Sequence, residues 1–122
     1  MNSISFHILR TAIGTERYWG YPISSDDWRS LYRFSVVQGV SAVVFNFVRQ
    51  LPKAEAPGVS LLMEWLSTAT GVEQTMRRMQ MIAENFAAEM EGRGVPVVVL
   101  KGIAFAQYYP NPLHRECGDL DC

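Results

Sequence analysis

Apolar residues recur three and four residues apart through most of this chain, which is the spacing of a helix that buries one face. Residues 3–13 show this pattern and are followed by Gly14, so they predict a short helix that ends at a glycine. Ser24, Asp26 and Asp27 predict the start of a second helix. A hydroxyl there caps free N–H groups, and the helix dipole favours acids.

A third pattern covers residues 40–48, where β-branched residues leave a strand as the alternative. We favour a helix, because the apolar residues keep helical spacing as far as Leu51. Residues 52–58 hold two prolines and predict a linker. One long helix is expected over residues 59–91. Its apolar seam has steps of three and four: Ala69, Val72, Met76, Met79, Ala83, Phe86 and Met90. Such a seam needs a partner helix, so a homodimer through residues 59–91 is a candidate assembly.

The pattern changes at Gly94. Residues 95–100 form a continuous β-branched and aliphatic run, and Gly102 closes it. Such a run between glycines predicts a short strand that is buried on both faces inside a sheet. Residues 103–109 return to helical spacing before prolines end the pattern.

Residues 118–121, with the sequence Gly-Asp-Leu-Asp, predict a second strand. The expected fold class is therefore α+β and mainly helical. A helical region over residues 1–94 leads into a strand-helix-strand unit over residues 95–122. We expect this unit to be the incomplete start of an α/β core, because two strands alone cannot close one.

The composition is typical of a soluble globular domain. Hydrophobic residues make up 48% of the 122 residues, charged residues make up 19%, and the formal net charge is −1. No run of Lys and Arg favours nucleic acid or an anionic membrane, so neither is expected as a partner. No segment approaches the length of a transmembrane span. The two cysteines form no disulfide framework and favour a cytoplasmic location.

The chemically suggestive residues lie in the last quarter of the chain. Asp119 and Asp121 are two residues apart, so in a strand both carboxylates point to one face. Two such charges repel each other, and a divalent cation removes the conflict, so the pair predicts a Mg²⁺ site. A surface turn is the alternative. His114, Cys117 and Cys122 lack a fourth partner and the spacing of a structural zinc site.

Lys101 and Gly102 follow the first predicted strand and add an anion-binding feature. A glycine at this turn lets a ligand approach the backbone, and the N–H groups of the following helix favour a phosphate. Arg115 offers a planar guanidinium that suits a further phosphate oxygen. The alternatives are a solvated Lys101 and a surface pair between Arg115 and Glu116 or an aspartate.

Together these residues resemble the opening of the polymerase-beta-like nucleotidyltransferase fold, and more narrowly a bacterial group with a Leu-Lys-Gly turn. Four short motifs carry the likeness: Leu100-Lys101-Gly102, Tyr108-Tyr109-Pro110, Arg115 and Gly118-Asp119-Leu120-Asp121. The resemblance implies that Lys101 and Gly102 contact nucleotide phosphates, and that Asp119 and Asp121 are catalytic metal ligands. It implies Mg²⁺ as cofactor, a nucleoside triphosphate as substrate and an unidentified acceptor.

Two departures from the family pattern matter. The commoner turn of the superfamily is Gly-Ser instead of Lys-Gly. The third carboxylate, which the fold supplies from a later strand, is absent because the sequence stops one residue after Asp121. We therefore expect the amino-terminal portion of a nucleotidyltransferase, without turnover of its own. The competing hypothesis is a non-catalytic helical interaction module that acts through the seam of the long helix.

Overall fold

The computed structural model describes residues 3–15, 17, 23–99 and 102–116. The chain divides into two compact units, Met1–Thr70 and Gly71–Cys122, which we call the amino-terminal and carboxyl-terminal units. The described ranges contain five α-helices and one 3₁₀ helix. One long helix runs through the division, so its residues are assigned to both units.

Four helices build the amino-terminal unit. These are α1 (Ser3–Ala12), α2 (Ser25–Val37), α3 (Ser41–Val48) and the first part of α4 (Val59–Gly92). Both α1 and α2 pack on α3. Predictions of helices at residues 3–13 and 40–48 are confirmed to within one residue at each end.

Local signals in the sequence explain where these helices begin and end. The Ser24 hydroxyl accepts the N–H of Asp27 at 3.1 Å, so the predicted amino-terminal cap of α2 is confirmed. Gly14 follows α1 with φ 83°, and Gly39 separates α2 from α3 with φ 71°. Only glycine adopts this left-handed conformation without strain, which is why the helices end there.

Trp65 on α4 is the centre of the amino-terminal unit. Its side chain is fully buried, and three aromatic rings surround it. Tyr32 and Trp28 on α2 meet it edge-on, with ring centroids 5.3 and 6.5 Å away, and Phe45 on α3 lies at 6.2 Å. Such contacts add to the hydrophobic stabilisation of the buried rings. The first part of α4 is therefore held against α2 and α3 by one aromatic cluster.

Two polar groups of this cluster are also paired. The indole Nε1 of Trp65 donates a hydrogen bond to the carbonyl oxygen of Ser41 at 2.9 Å. The hydroxyls of Tyr32 and Thr68 lie 2.7 Å apart. Because a buried N–H without a partner is costly, the bond to Ser41 lets the indole occupy the core. The cluster thus has a defined orientation as well as a large apolar surface.

The carboxyl-terminal unit holds the rest of α4, the short helix α5 (Gly102–Ala106) and a 3₁₀ helix (Pro112–His114). Beyond α4, Gly94 adopts φ 78°, and the N–H of Val95 donates to the carbonyl of Met90 at 2.9 Å. This is the usual left-handed end of a helix. The prediction of one long helix over residues 59–91 is confirmed, since α4 ends at Gly92.

The buried apolar side chains described in the carboxyl-terminal unit are few and mostly small: Met76, Ala83 and Ala106. Several large apolar side chains remain exposed: Met81, Ile82, Phe86, Val95, Val98, Phe105 and Tyr108. Phe86 belongs to the predicted apolar seam of α4 and lies at the surface. The helical spacing of the seam is correct, and its predicted partner helix and homodimer stay predictions.

The predicted fold class is wrong, because the ranges that the structure describes are helical and contain no strand. Residues 95–99 were expected to be buried on both faces, yet Val98 is 69% exposed while Val97 and Val99 are half-buried. A strand requires a neighbour that pairs with its N–H and C=O groups. No described segment supplies that neighbour. The second expected strand, over residues 118–121, lies outside the described residues.

The predicted boundary between a helical region and a second region, at residues 94 and 95, also stays a prediction.

Among the helices that the structure describes, none combines the length and the hydropathy that a membrane crossing would need.

Candidate functional site

The segment from Gly102 to Glu116 carries the described part of the predicted site. Helix α5 begins at Gly102, the second residue of the predicted phosphate turn. After α5 the chain turns, with the N–H of Tyr109 donating to the carbonyl of Ala106 at 3.0 Å. Ala106 is fully buried, and α5 packs on the 3₁₀ helix. The two ends of the segment therefore belong to one folded piece of chain.

The 3₁₀ helix has a clear sequence origin. The Asn111 side-chain oxygen accepts the N–H of Leu113 at 3.0 Å, and Pro112 occupies the first helical position. Asparagine favours this capping role, and proline suits a position where no N–H is needed. The N–H of His114 donates to the carbonyl of Asn111 at 3.0 Å. The sequence Asn-Pro-Leu-His thus fixes one tight turn directly before Arg115.

His114 is buried and tied to α4. Its ring Nε2 lies 2.9 Å from Oε1 of Glu73 and 3.2 Å from Nδ2 of Asn111. An ionised carboxylate only accepts, so Nε2 carries the hydrogen when it bonds to Glu73. The contact joins residues that are 41 positions apart in the sequence. It fastens the turn before Arg115 to the carboxyl-terminal part of α4.

Arg115 directly follows the 3₁₀ helix, and its backbone is extended, with φ −80° and ψ 110°. Its side chain is half-buried, and Nη1 donates to the Tyr109 hydroxyl at 3.5 Å, the upper limit of a hydrogen bond. A guanidinium holds its N–H donors in a fixed plane, a geometry that suits phosphate oxygens.

The structure tests the placement of only part of the predicted site. Gly102 and Arg115 lie at the start of α5 and after the 3₁₀ helix, in the same folded segment. Lys101, Asp119 and Asp121 lie outside the described residues. Within the described ranges no group of three or more His, Cys, Asp or Glu residues could hold a metal ion. The roles assigned to all five residues stay predictions.

Glu73 is the residue of this region that the sequence did not single out. It lies beside Val72 and Met76 of the apolar seam, at the edge of the face that α4 buries. A carboxylate at such an edge is a weak signal for a polar partner on another element. His114 was considered only as a metal ligand, whereas its contact in the structure is with Glu73.

A mainly apolar cleft lies on the same part of α4. Its volume is about 390 Å³, and its lining residues are Gly71, Val72, Thr75, Met76 and Glu116. The polar groups that these residues contribute are one hydroxyl and one carboxylate. Glu116 directly follows Arg115, so the cleft adjoins the segment that carries the candidate site.

Comparison with protein families adds the deciding observation. The model of a family described as uncharacterised nucleotidyltransferase matches residues 24–122. This match covers most of the chain. The protein belongs to this uncharacterised nucleotidyltransferase family. Comparisons with curated proteins and with solved structures gave no match.

The extent of the family match is informative. It begins at Ser24, the cap of α2, so the family pattern includes α2, α3 and α4 as well as the carboxyl-terminal motifs. The likeness read from the sequence was specific only over the last quarter of the chain. Membership of the nucleotidyltransferase family is therefore supported by the helical part too, while the interaction module stays an untested alternative.

Proposed function

We propose that this protein binds a nucleoside triphosphate with Mg²⁺ and takes part in a nucleotidyl transfer. In that reaction the nucleotidyl group of the triphosphate passes to a hydroxyl or an amine. The family match over residues 24–122 carries the proposal. In this transfer the acceptor oxygen or nitrogen bonds to the α-phosphorus, and the bond between that phosphorus and the bridging oxygen breaks. Pyrophosphate leaves, and the acceptor loses its proton to a base or to solvent.

The residue types at the carboxyl end suit the metal. Asp119 and Asp121 offer carboxylate oxygens, which are the ligands that Mg²⁺ prefers, and two carboxylates leave positions for water and phosphate oxygens. When bound, the ion would neutralise charge on the phosphates during displacement. In this proposal Asp119 and Asp121 hold and orient the ion.

Three further residues would hold the triphosphate. Lys101 would contribute a positive charge, and Gly102 would let the phosphates approach the backbone at the start of α5. Arg115 would bind a further phosphate oxygen with its guanidinium. We also propose, from residues 100–102, that the protein belongs to the bacterial group with a Leu-Lys-Gly turn. A cytoplasmic location is a further part of the proposal.

The first test of this proposal is binding of Mg-ATP and Mg-CTP to the purified chain, measured by isothermal titration calorimetry. We expect saturable binding that needs Mg²⁺ and falls at least about tenfold in Asp119→Asn and in Asp121→Asn, because each variant removes one charged ligand. The matched control is Asp26→Asn, which removes an exposed acid from α2.

The control should bind as the wild type does. Equal binding by the wild type, Asp119→Asn and Asp121→Asn would contradict the metal assignment. Absence of nucleotide binding by the folded wild type, with and without Mg²⁺, would contradict the proposed function itself.

A further inference from the structure

The hydrogen bond between Glu73 and His114 is the best-defined polar contact beside the candidate site. It is 2.9 Å long and links α4 to the 3₁₀ helix, with 8% of the His114 side chain and 33% of the Glu73 side chain exposed. A hydrogen bond to a charged group that is largely removed from water is stronger than a neutral one. The imidazole is therefore well placed to hold the 3₁₀ helix in one orientation.

Asn111 presents a second polar group to the same ring nitrogen of His114. Its amide oxygen accepts the Leu113 N–H, so its amide nitrogen is the atom that faces Nε2 of His114, at 3.2 Å. Nε2 thus lies between an acceptor on Glu73 and a donor on Asn111. With the hydrogen on Nε2 the ring bonds to Glu73, and with the hydrogen on Nδ1 it can accept from Asn111. The negative charge of Glu73 favours the first arrangement.

Arg115 depends on this contact because it directly follows His114. The 3₁₀ helix has three residues, and a single turn of this kind is too short to fix its own orientation. The contact between the His114 ring and Glu73 anchors the 3₁₀ helix to the long helix α4. If that anchor is lost, the direction in which the Arg115 side chain leaves the turn changes.

We infer that Glu73 is a positioning residue, which acts through His114 to place the Arg115 guanidinium for a phosphate oxygen of the substrate. The inference rests on the proposed function, in which Arg115 binds the triphosphate. Glu73 itself need not touch the substrate, so its carboxylate acts on affinity only through the imidazole and the turn. Glu73 and Arg115 should therefore be energetically coupled in nucleotide binding.

The test is a double-mutant cycle for Mg-ATP binding, measured by titration calorimetry on the full chain. We expect Glu73→Ala to weaken binding about five- to tenfold in the wild type and to have no further effect when Arg115 is already alanine. Glu73→Gln should bind within about twofold of the wild type, because its amide oxygen still accepts from Nε2. The matched control is Glu84→Ala, an exposed glutamate on the same helix.

Equal weakening by Glu73→Ala in both backgrounds would mean that Glu73 is only structural, and it would overturn the inference while leaving the proposed function intact. If the folded wild type binds no nucleotide, the proposed function fails and the inference falls with it.

A second measurement does not need nucleotide. Long-range ¹H–¹⁵N correlation spectra of His114 should show the Nε2–H tautomer in the wild type and in Glu73→Gln. They should show the Nδ1–H tautomer in Glu73→Ala, and an unchanged tautomer there would also contradict the inference.

Discussion

Trp65 in the amino-terminal unit and Met76 in the carboxyl-terminal unit are both residues of α4, and they are 0% and 1% exposed. The two units differ in the other residues that they bury. Trp65 is enclosed by the rings of Trp28, Tyr32 and Phe45. The other buried residues described in the unit of Met76 are two alanines and His114, whose ring is bonded to a carboxylate.

This difference separates stability from positioning. Large rings remove much apolar surface from water, so they contribute most of the free energy that holds a small unit together. A partly buried contact between a carboxylate and an imidazole contributes less net free energy, because both groups lose hydration, but it fixes the direction of the ring. In the described residues, the amino-terminal unit is thus held together mainly by packed aromatic rings. The carboxyl-terminal unit instead contains one buried side chain, that of His114, whose direction a hydrogen bond fixes.

The largest effect is expected at Trp65. Replacing it with alanine should lower the free energy of unfolding by about 3–5 kcal/mol, because the change leaves a cavity inside the aromatic cluster. Urea denaturation followed by far-ultraviolet circular dichroism measures this loss. Val37→Ala, at a side chain that is 79% exposed, is the control and should change stability by less than about 0.5 kcal/mol. A loss below about 1.5 kcal/mol for Trp65→Ala would remove the contrast between the units.

Met76→Ala sharpens the comparison from the other side. We expect a loss of about 2–3 kcal/mol, near the lower end for buried methionine, because a flexible side chain that lines a cleft leaves a site that can partly collapse. The same denaturation experiment measures it. Met81→Ala, at an exposed methionine of the same unit, should have little effect. A cost equal to that of Trp65→Ala would show that the carboxyl-terminal unit is packed as tightly as the amino-terminal unit.

The smallest of the three effects is expected at the cap of α2. Ser24→Ala removes the acceptor for the Asp27 N–H and should cost about 1 kcal/mol in thermal or urea unfolding. Ser24→Asp keeps an acceptor there and should be close to the wild type. Similar losses in both variants would show that the hydroxyl's role is not capping.

The helices could be predicted because their signals are local. The spacing of apolar residues in α4, the serine and acids before α2 and the glycine after α1 each act within a few residues of the feature that they determine. The long helix was therefore predicted to within one residue of both ends. Local patterns contain enough information for elements that satisfy their own hydrogen bonds.

The strand over residues 95–100 was predicted wrongly for the opposite reason. Valines indicate that a segment suits a pleated surface, but the hydrogen bonds of a strand come from a partner elsewhere in the chain. Val98 is exposed instead of enclosed between layers. The contact between Glu73 and His114 was missed on similar grounds, because 41 residues separate the two partners. No periodic pattern connects residues so far apart.

The left-handed backbone of Gly94 limits which residues can replace it in natural variants. An added Cβ atom would meet nothing within 4 Å, so the main cost of replacement comes from the left-handed backbone, at about 1–2 kcal/mol for most residues. Asparagine tolerates that backbone better than most, but no glycine codon becomes an asparagine codon through a single base change. Among one-step replacements, aspartate is therefore the least disruptive, and natural variants at this position should be dominated by glycine with occasional aspartate.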